Sequence, residues 1–124
     1  MKAWSVDYMS YVIKTYFRRG QSKIKLPSMF QYDQGNVIHI SGIPDDGGNY
    51  ILDAVLEGDE HAYSTCEYKG NGLYSLKDDL FKDGRNIVLY LFADYTNWGR
   101  NLQEWTIPII RRPKPDRSER EVET

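Results

Sequence analysis

Short stretches of alternating apolar and polar residues recur along this chain, with turn-forming residues between them. A period of two sends successive side chains to opposite faces of a strand, so the pattern predicts β structure with one buried face. The clearest strands are 36–43 (NVIHISGI), 50–58 (YILDAVLEG), 60–70 (EHAYSTCEYKG), 85–95 (RNIVLYLFADY) and 102–110 (LQEWTIPII). They are rich in the branched and aromatic residues that suit a pleated, half-buried surface. In the last of them Leu102, Glu104 and Thr106 alternate with Gln103, Trp105 and Ile107, so that one face meets a core, and Trp105 is expected in core or inter-sheet packing. PDDGGN at 44–49, Glu-Gly-Asp at 57–59 and TNWGRN at 96–101 read as turns. Residues 71–76 (NGLYSL) read as a short strand or turn.

One segment breaks the alternation. In SLKDDLFKDG, 75–84, Leu76, Leu80 and Phe81 recur at helical spacing, Ser75 and Asp78 resemble a capping box, and Gly84 ends the pattern. It predicts one helical turn crossing between sheets.

Ahead of these strands, AWSVDYM alternates Trp4, Val6 and Tyr8 with polar residues, and YVIKTYF adds Val12, Ile13, Tyr16 and Phe17. RRGQSK at 18–23 reads as a linker, and the proline-bearing piece from 24 as an edge segment, since proline cannot donate to a ladder. Pro108 gives the last strand the same edge character. Pro113 and Pro115 hold the residues after it extended, as a stiff basic strap. The charged DRSEREVET that follows is expected to be ordered only by a continuation of the chain or by a neighbour.

Six or seven short strands with one helical crossover and no strand–helix–strand rhythm predict an all-β protein. The expected architecture is an immunoglobulin-like antiparallel β-sandwich over 26–110, with a β-rich basic N-terminal arm at 1–25 and a Pro-rich, charged extension at 111–124. The paired cysteines of antibody domains are missing, so the likeness is one of architecture.

Length and composition agree: 124 residues with 40% hydrophobic and 27% charged side chains fit one domain. Tyrosine is frequent, at 10 residues. No apolar run is long enough to span a bilayer, and the N-terminus lacks the apolar core of a secretion signal. The single cysteine precludes an internal disulfide and fits a reducing compartment. The net charge of −2 conceals an asymmetry. Residues 1–25 hold six basic side chains against one acidic, residues 26–110 five against thirteen, and residues 111–124 five against four. An acidic body repels phosphate, so no nucleic acid is expected; the apolar, alternating arm is expected to add a strand to a sheet, its own or a neighbour's, and its basic charge better suits the acidic body of another copy.

Candidate chemistry is sparse. Cys66 alternates with its neighbours like an ordinary strand residue, and no motif joins it to His39 or His61, so no catalytic residues and no enzyme activity are expected. Asp45, Asp46 and Asn49, followed by Asp53, Glu57, Asp59 and Glu60, offer oxygens to a hard cation but match no binding loop; they read as a solvated acidic turn, with no metal or cofactor. The arm and strap supply the expected contacts to other subunits or to a larger particle: Trp4, Tyr8, Tyr11, Tyr16, Phe17, Arg18 and Arg19, then Arg111, Arg112 and Lys114. A rival site is a glycan contact at Tyr95, Asn97, Trp98 and Arg100, where flat rings stand beside amide and guanidinium donors.

Two segments also carry a resemblance. LPSMFQYDQGN opens the body and TIPIIRRPKPD closes it. With the intervening strand order they resemble a domain of structural proteins of tailed bacteriophages infecting Firmicutes: minor structural proteins, head fibres, and baseplate or tail components. The resemblance implies a non-enzymatic virion protein, assembled in the host cytoplasm from copies of itself and other virion proteins. Its alternative is a glycan-binding receptor module of a fibre, recognising a host cell-surface glycan.

Overall fold

The computed structural model describes residues 11–20 and 23–114. The fold is all-β, as the alternation predicts. Among the described residues eleven strands run in the order β1 (Tyr11–Tyr16), β2 (Lys23–Lys25), β3 (Met29–Phe30), β4 (Asn36–Ser41), β5 (Asn49–Leu56), β6 (Asp59–Thr65), β7 (Glu67–Gly70), β8 (Leu73–Ser75), β9 (Ile87–Asp94), β10 (Gly99–Ile107) and β11 (Ile109–Ile110). One sheet has the order β1-β4-β8-β7, a second β2-β10-β9-β5-β6, and β11 pairs with β3 alone.

The two larger sheets enclose one core. Strand β4 contributes Ile38 and Ile40 from the first sheet; Leu52 and Ala54 of β5, Leu89 and Leu91 of β9, and Trp105 and Ile107 of β10 meet them from the second. In β10 the buried face is Gln103, Trp105 and Ile107, one of the two faces that its alternation defines and the one that holds Trp105. Two polar bonds tie the sheets across this apolar interior. Trp105 Nε1 donates to Thr15 Oγ1 of β1 at 3.0 Å, and the Tyr74 hydroxyl of β8 donates to the Tyr50 carbonyl of β5 at 2.7 Å. Both satisfy donors that burial would otherwise leave costly.

Several expectations are corrected. The sheets are mixed rather than purely antiparallel: β1 with β4, β2 with β10 and β3 with β11 all run parallel. Residues 11–16 and 23–25 are therefore strands of the chain's own sheets, and the body begins well before residue 26. Ile13 and Thr15 are buried in it, and Phe17 packs against the core. Burial of Ile13 explains the docking, because an alternating apolar strand in water gains most from the nearest apolar face.

The single strand expected over 60–70 is two. Cys66 separates β6 from β7, and the chain changes sheets there. Its N–H donates back to Leu52 of β5 at 2.8 Å while its small side chain enters the core. Alternation continues through the kink, so the pattern alone conceals it. Pro108 lies between β10 and β11, not within a strand, and its carbonyl accepts from the Met29 N–H at 2.9 Å. β10 is not an edge; β9 and β2 flank it. The helical segment is a 3-10 turn at Asp78–Phe81 that buries Leu80 and Phe81, and Ser75 does not cap it. Asp78 instead accepts from the Gly35 N–H at 2.9 Å.

Candidate functional site: a clamp, an aromatic turn and a cleft

The segments that open and close the body are each other's partners. Met29 and Phe30 of β3 lie in parallel register with Ile109 and Ile110 of β11. Beyond Phe30 the chain makes a tight turn. Asp33 Oδ2 accepts from the Phe30 N–H at 3.0 Å, and Tyr32 takes a left-handed φ of 73°, which a tyrosine adopts only when its surroundings enforce it. The enforcing contact is the Tyr32 N–H donating to the Phe81 carbonyl at 2.8 Å.

This turn holds the strap. The Arg112 N–H donates to Gln31 Oε1 at 3.1 Å and its Nε donates to the Gln31 carbonyl, while its guanidinium lies 3.8 Å from Asp33. Gln31 also donates to the Lys82 carbonyl at 2.9 Å, and Arg111 Nε to the Gly84 carbonyl at 3.3 Å. The direction in which residues 111–114 leave the body is thus set by hydrogen bonds, not by the prolines alone. Beside the clamp, the paired Phe30 and Ile110 are 49% and 45% exposed, an apolar step on the surface that precedes three basic residues in the chain.

Of the expected contact residues, Trp4 and Tyr8 lie outside the described residues, as does the Tyr11 side chain. Phe17 donates its N–H to the Ser41 carbonyl at 2.7 Å and Arg18 its N–H to Gln103 Oε1 at 3.2 Å. The Arg18 guanidinium sits 5.0 Å from the Tyr16 ring centre. These residues contact their own body. Arg19 and Lys114 are exposed.

The hairpin turn at 95–98 assembles the second group. Tyr95 and Trp98 stack with ring centres 4.3 Å apart, and Arg100 lies 5.3 Å from the Trp98 ring centre. The Tyr95 hydroxyl donates to Asp46 Oδ2 at 2.7 Å, and the Tyr50 hydroxyl lies 2.9 Å from the same oxygen and 2.7 Å from the Tyr95 hydroxyl. Two hydroxyl protons cannot fill all these contacts at once; the carboxylate shares them. Donation from Tyr95 holds the Asp46 carboxyl below its ordinary value, with the Gly48 N–H and Tyr50 adding to the effect. Burial, Tyr95 and Asp46 together push the Tyr50 hydroxyl well above its usual range. Gly48 makes room for this: a Cβ there would come within 2.6 Å of the Tyr95 ring. Trp98 remains 51% exposed, and Asn97 is exposed beside it. The sequence singled out Tyr95, Asn97, Trp98 and Arg100 but missed Asp46 and Tyr50, whose part depends on a contact across 49 positions of sequence.

Tyr50 also borders a cleft of about 720 Å³ between the sheets, whose walls include His39, Asp45, Cys66, Tyr68 and Tyr74. In its wall, burial, with some help from the Asp53 charge, pushes the Cys66 thiol up to about 12, which disfavours its reactive thiolate. His39 alternates with buried Ile38 and Ile40 on the other face of β4. Among the described residues no group of three or more His, Cys, Asp and Glu side chains could hold a metal ion. No protein-family model matches the chain, and no curated protein does.

Proposed function

We propose that this chain is a non-enzymatic structural protein of a bacteriophage virion, a rigid sandwich that joins copies of itself and other virion proteins through its C-terminal strap and the surface beside it. The observation that carries the reading is the clamp. The two segments that resemble the phage domain are the ones that bind each other, through the β3–β11 pair and the Gln31–Arg112 bonds. A module whose exit is fixed in direction suits a particle in which successive parts must be oriented. The exposed Phe30–Ile110 step, followed in the chain by Arg111, Arg112 and Lys114, suits an apolar contact with basic residues leading away from it, and the acidic body of a neighbouring copy complements it.

The sandwich is read as immunoglobulin-like on its strand order. The orders β1-β4-β8-β7 and β10-β9-β5-β6 parallel the A-B-E-D and G-F-C-C′ sheets of that fold, and hairpins alternate with crossings between sheets. Parallel β1 and the lack of a disulfide are departures from the antibody pattern.

Replacing Phe30 and Ile110 with serine tests the proposal, because both are half-exposed and neither side chain makes the clamp. Light scattering and a particle-incorporation assay should show loss of the assembled species with the sandwich still folded. Undiminished assembly and incorporation would sink it. A second reading, glycan recognition by a fibre module, is favoured by one observation: the half-exposed Trp98 stacked on a Tyr95 that Asp46 anchors. Saturable sugar binding that disappears in Trp98→Ala is its test.

A further inference from the structure

The cleft between the sheets has no part in the assembly reading, and it has the make-up of a ligand site. Its volume of about 720 Å³ falls within the roughly 300–1,000 Å³ of small-ligand sites. Contacts between and within the sheets brace its walls. The Tyr74–Tyr50 bond joins the two sheets beneath it, and Tyr74 is fully buried. At the side stands Tyr68, 57% exposed yet held in place: its ring packs against Tyr74 at 5.0 Å between centres, and its hydroxyl oxygen accepts from the Gly72 N–H at 3.2 Å. Gly72 itself admits no side chain, since a Cβ there would lie 2.5 Å from the Ile40 carbonyl oxygen. A large exposed ring that is immobilised in advance loses little entropy when something stacks on it.

The lining selects among ligands. Tyr50, Tyr68, Ile43 and Ile51 offer flat or apolar surface, while Asn49, Asn71, Thr65 and Asp45 offer hydrogen-bonding groups around it. Among the described residues no lysine or arginine lines the cleft; His39 offers an imidazole, and Asp45 a carboxylate, which disfavours phosphates and other anions. The cleft is open and polar-edged, which disfavours a wholly apolar ligand. A neutral molecule with one apolar face and many hydroxyls satisfies both demands.

We propose that this cleft is a saccharide-binding site, with Tyr68 as its stacking platform and Asp45, Asn49 and Asn71 as hydroxyl partners. The proposal deepens the glycan reading and rests on it, but moves the sugar from the Trp98 turn to the cleft, with Tyr50 adjoining both. The test is titration of the isotope-labelled full chain with glucose, galactose, N-acetylglucosamine, rhamnose and their short oligomers, followed by amide NMR. The expected result is saturable shifts in 39–45, 49–51 and 68–74 for at least one sugar. Tyr68→Ala should weaken binding about tenfold or more, with the rest of its spectrum folded, and Trp98→Ala should leave it within about twofold. Shifts confined to 95–100 and lost in Trp98→Ala would overturn the cleft while keeping the glycan reading. No saturable shift with any sugar would overturn both.

Discussion

Arg112 gives both its backbone N–H and its guanidinium Nε to Gln31, across 81 positions of sequence. The two bonds differ in what they need. The first uses the Gln31 side chain and the Arg112 backbone; the second uses the Arg112 side chain and the Gln31 backbone.

That difference is testable. Gln31→Ala should release the Arg112 amide to fast hydrogen exchange, whereas Arg112→Ala should leave the amide at 112 protected by the Gln31 side chain. Either change should lower stability by only about 1 kcal/mol, since the site is partly exposed. Equal exchange in both variants would mean that the clamp does not order the strap.

Strand β1 is a working part of the sandwich. Ile13→Ala should cost about 2–5 kcal/mol as a buried aliphatic truncation. Thr15→Val leaves the buried Trp105 N–H without its acceptor and should cost about 1–3 kcal/mol. Removing residues 1–19 should therefore destabilise the body as well as any assembly, and a fragment confined to 26–112 should unfold at lower denaturant than the full chain. Chemical denaturation decides it; a truncated body of unchanged midpoint would contradict the β1–β4 pairing.

The Asp46 carboxyl is held below its ordinary value of 3.8. A depressed folded-state value contributes stability that is present above the unfolded value and is lost as pH falls through the folded one. The loss from this group thus begins near 3.8 and continues to lower pH. Tyr95→Phe removes the largest cause, so carboxyl NMR titration should find Asp46 shifted upward in that variant. An unchanged titration would disprove the shared-proton arrangement.

With its thiol pushed up to about 12 and its side chain in the core, Cys66 should resist thiol reagents at neutral pH in the folded protein. Denaturant should restore full labelling. Rapid labelling of the native chain would place Cys66 at the surface.

Gly48 and Gly72 are close-approach positions of different kinds. Gly72→Ala meets backbone, the Ile40 carbonyl oxygen, at a left-handed φ of +79°, so nothing can yield; Gly48→Ala meets the Tyr95 ring, which can turn. Thermal unfolding should rank Gly72→Ala as the more damaging, with Gly48→Ala costing roughly 1–3 kcal/mol. The reverse order would show the Asp46–Tyr95 cluster to be the stiffer of the two.

Alternation along the chain was enough to place most strands and to divide β10 into two faces, because a strand's period is a local property. It also marked Tyr95, Trp98 and Arg100, since a tryptophan in a turn is exposed unless something covers it. It could not say which strand pairs with which. Residues 11–16 carry the pattern of a strand, but only the tertiary structure decides that they run parallel to β4 of the same chain instead of a neighbour's. The break at Cys66 was hidden for a related reason: the alternation of residue types runs on across it, and only the structure shows that Cys66 is buried while Tyr68, two residues on, is exposed. Asp46 with Tyr95, and Gln31 with Arg112, are contacts between residues whose own neighbours give no sign of them. Periodicity fixes which way a side chain faces; what it meets there depends on the closure of the whole chain.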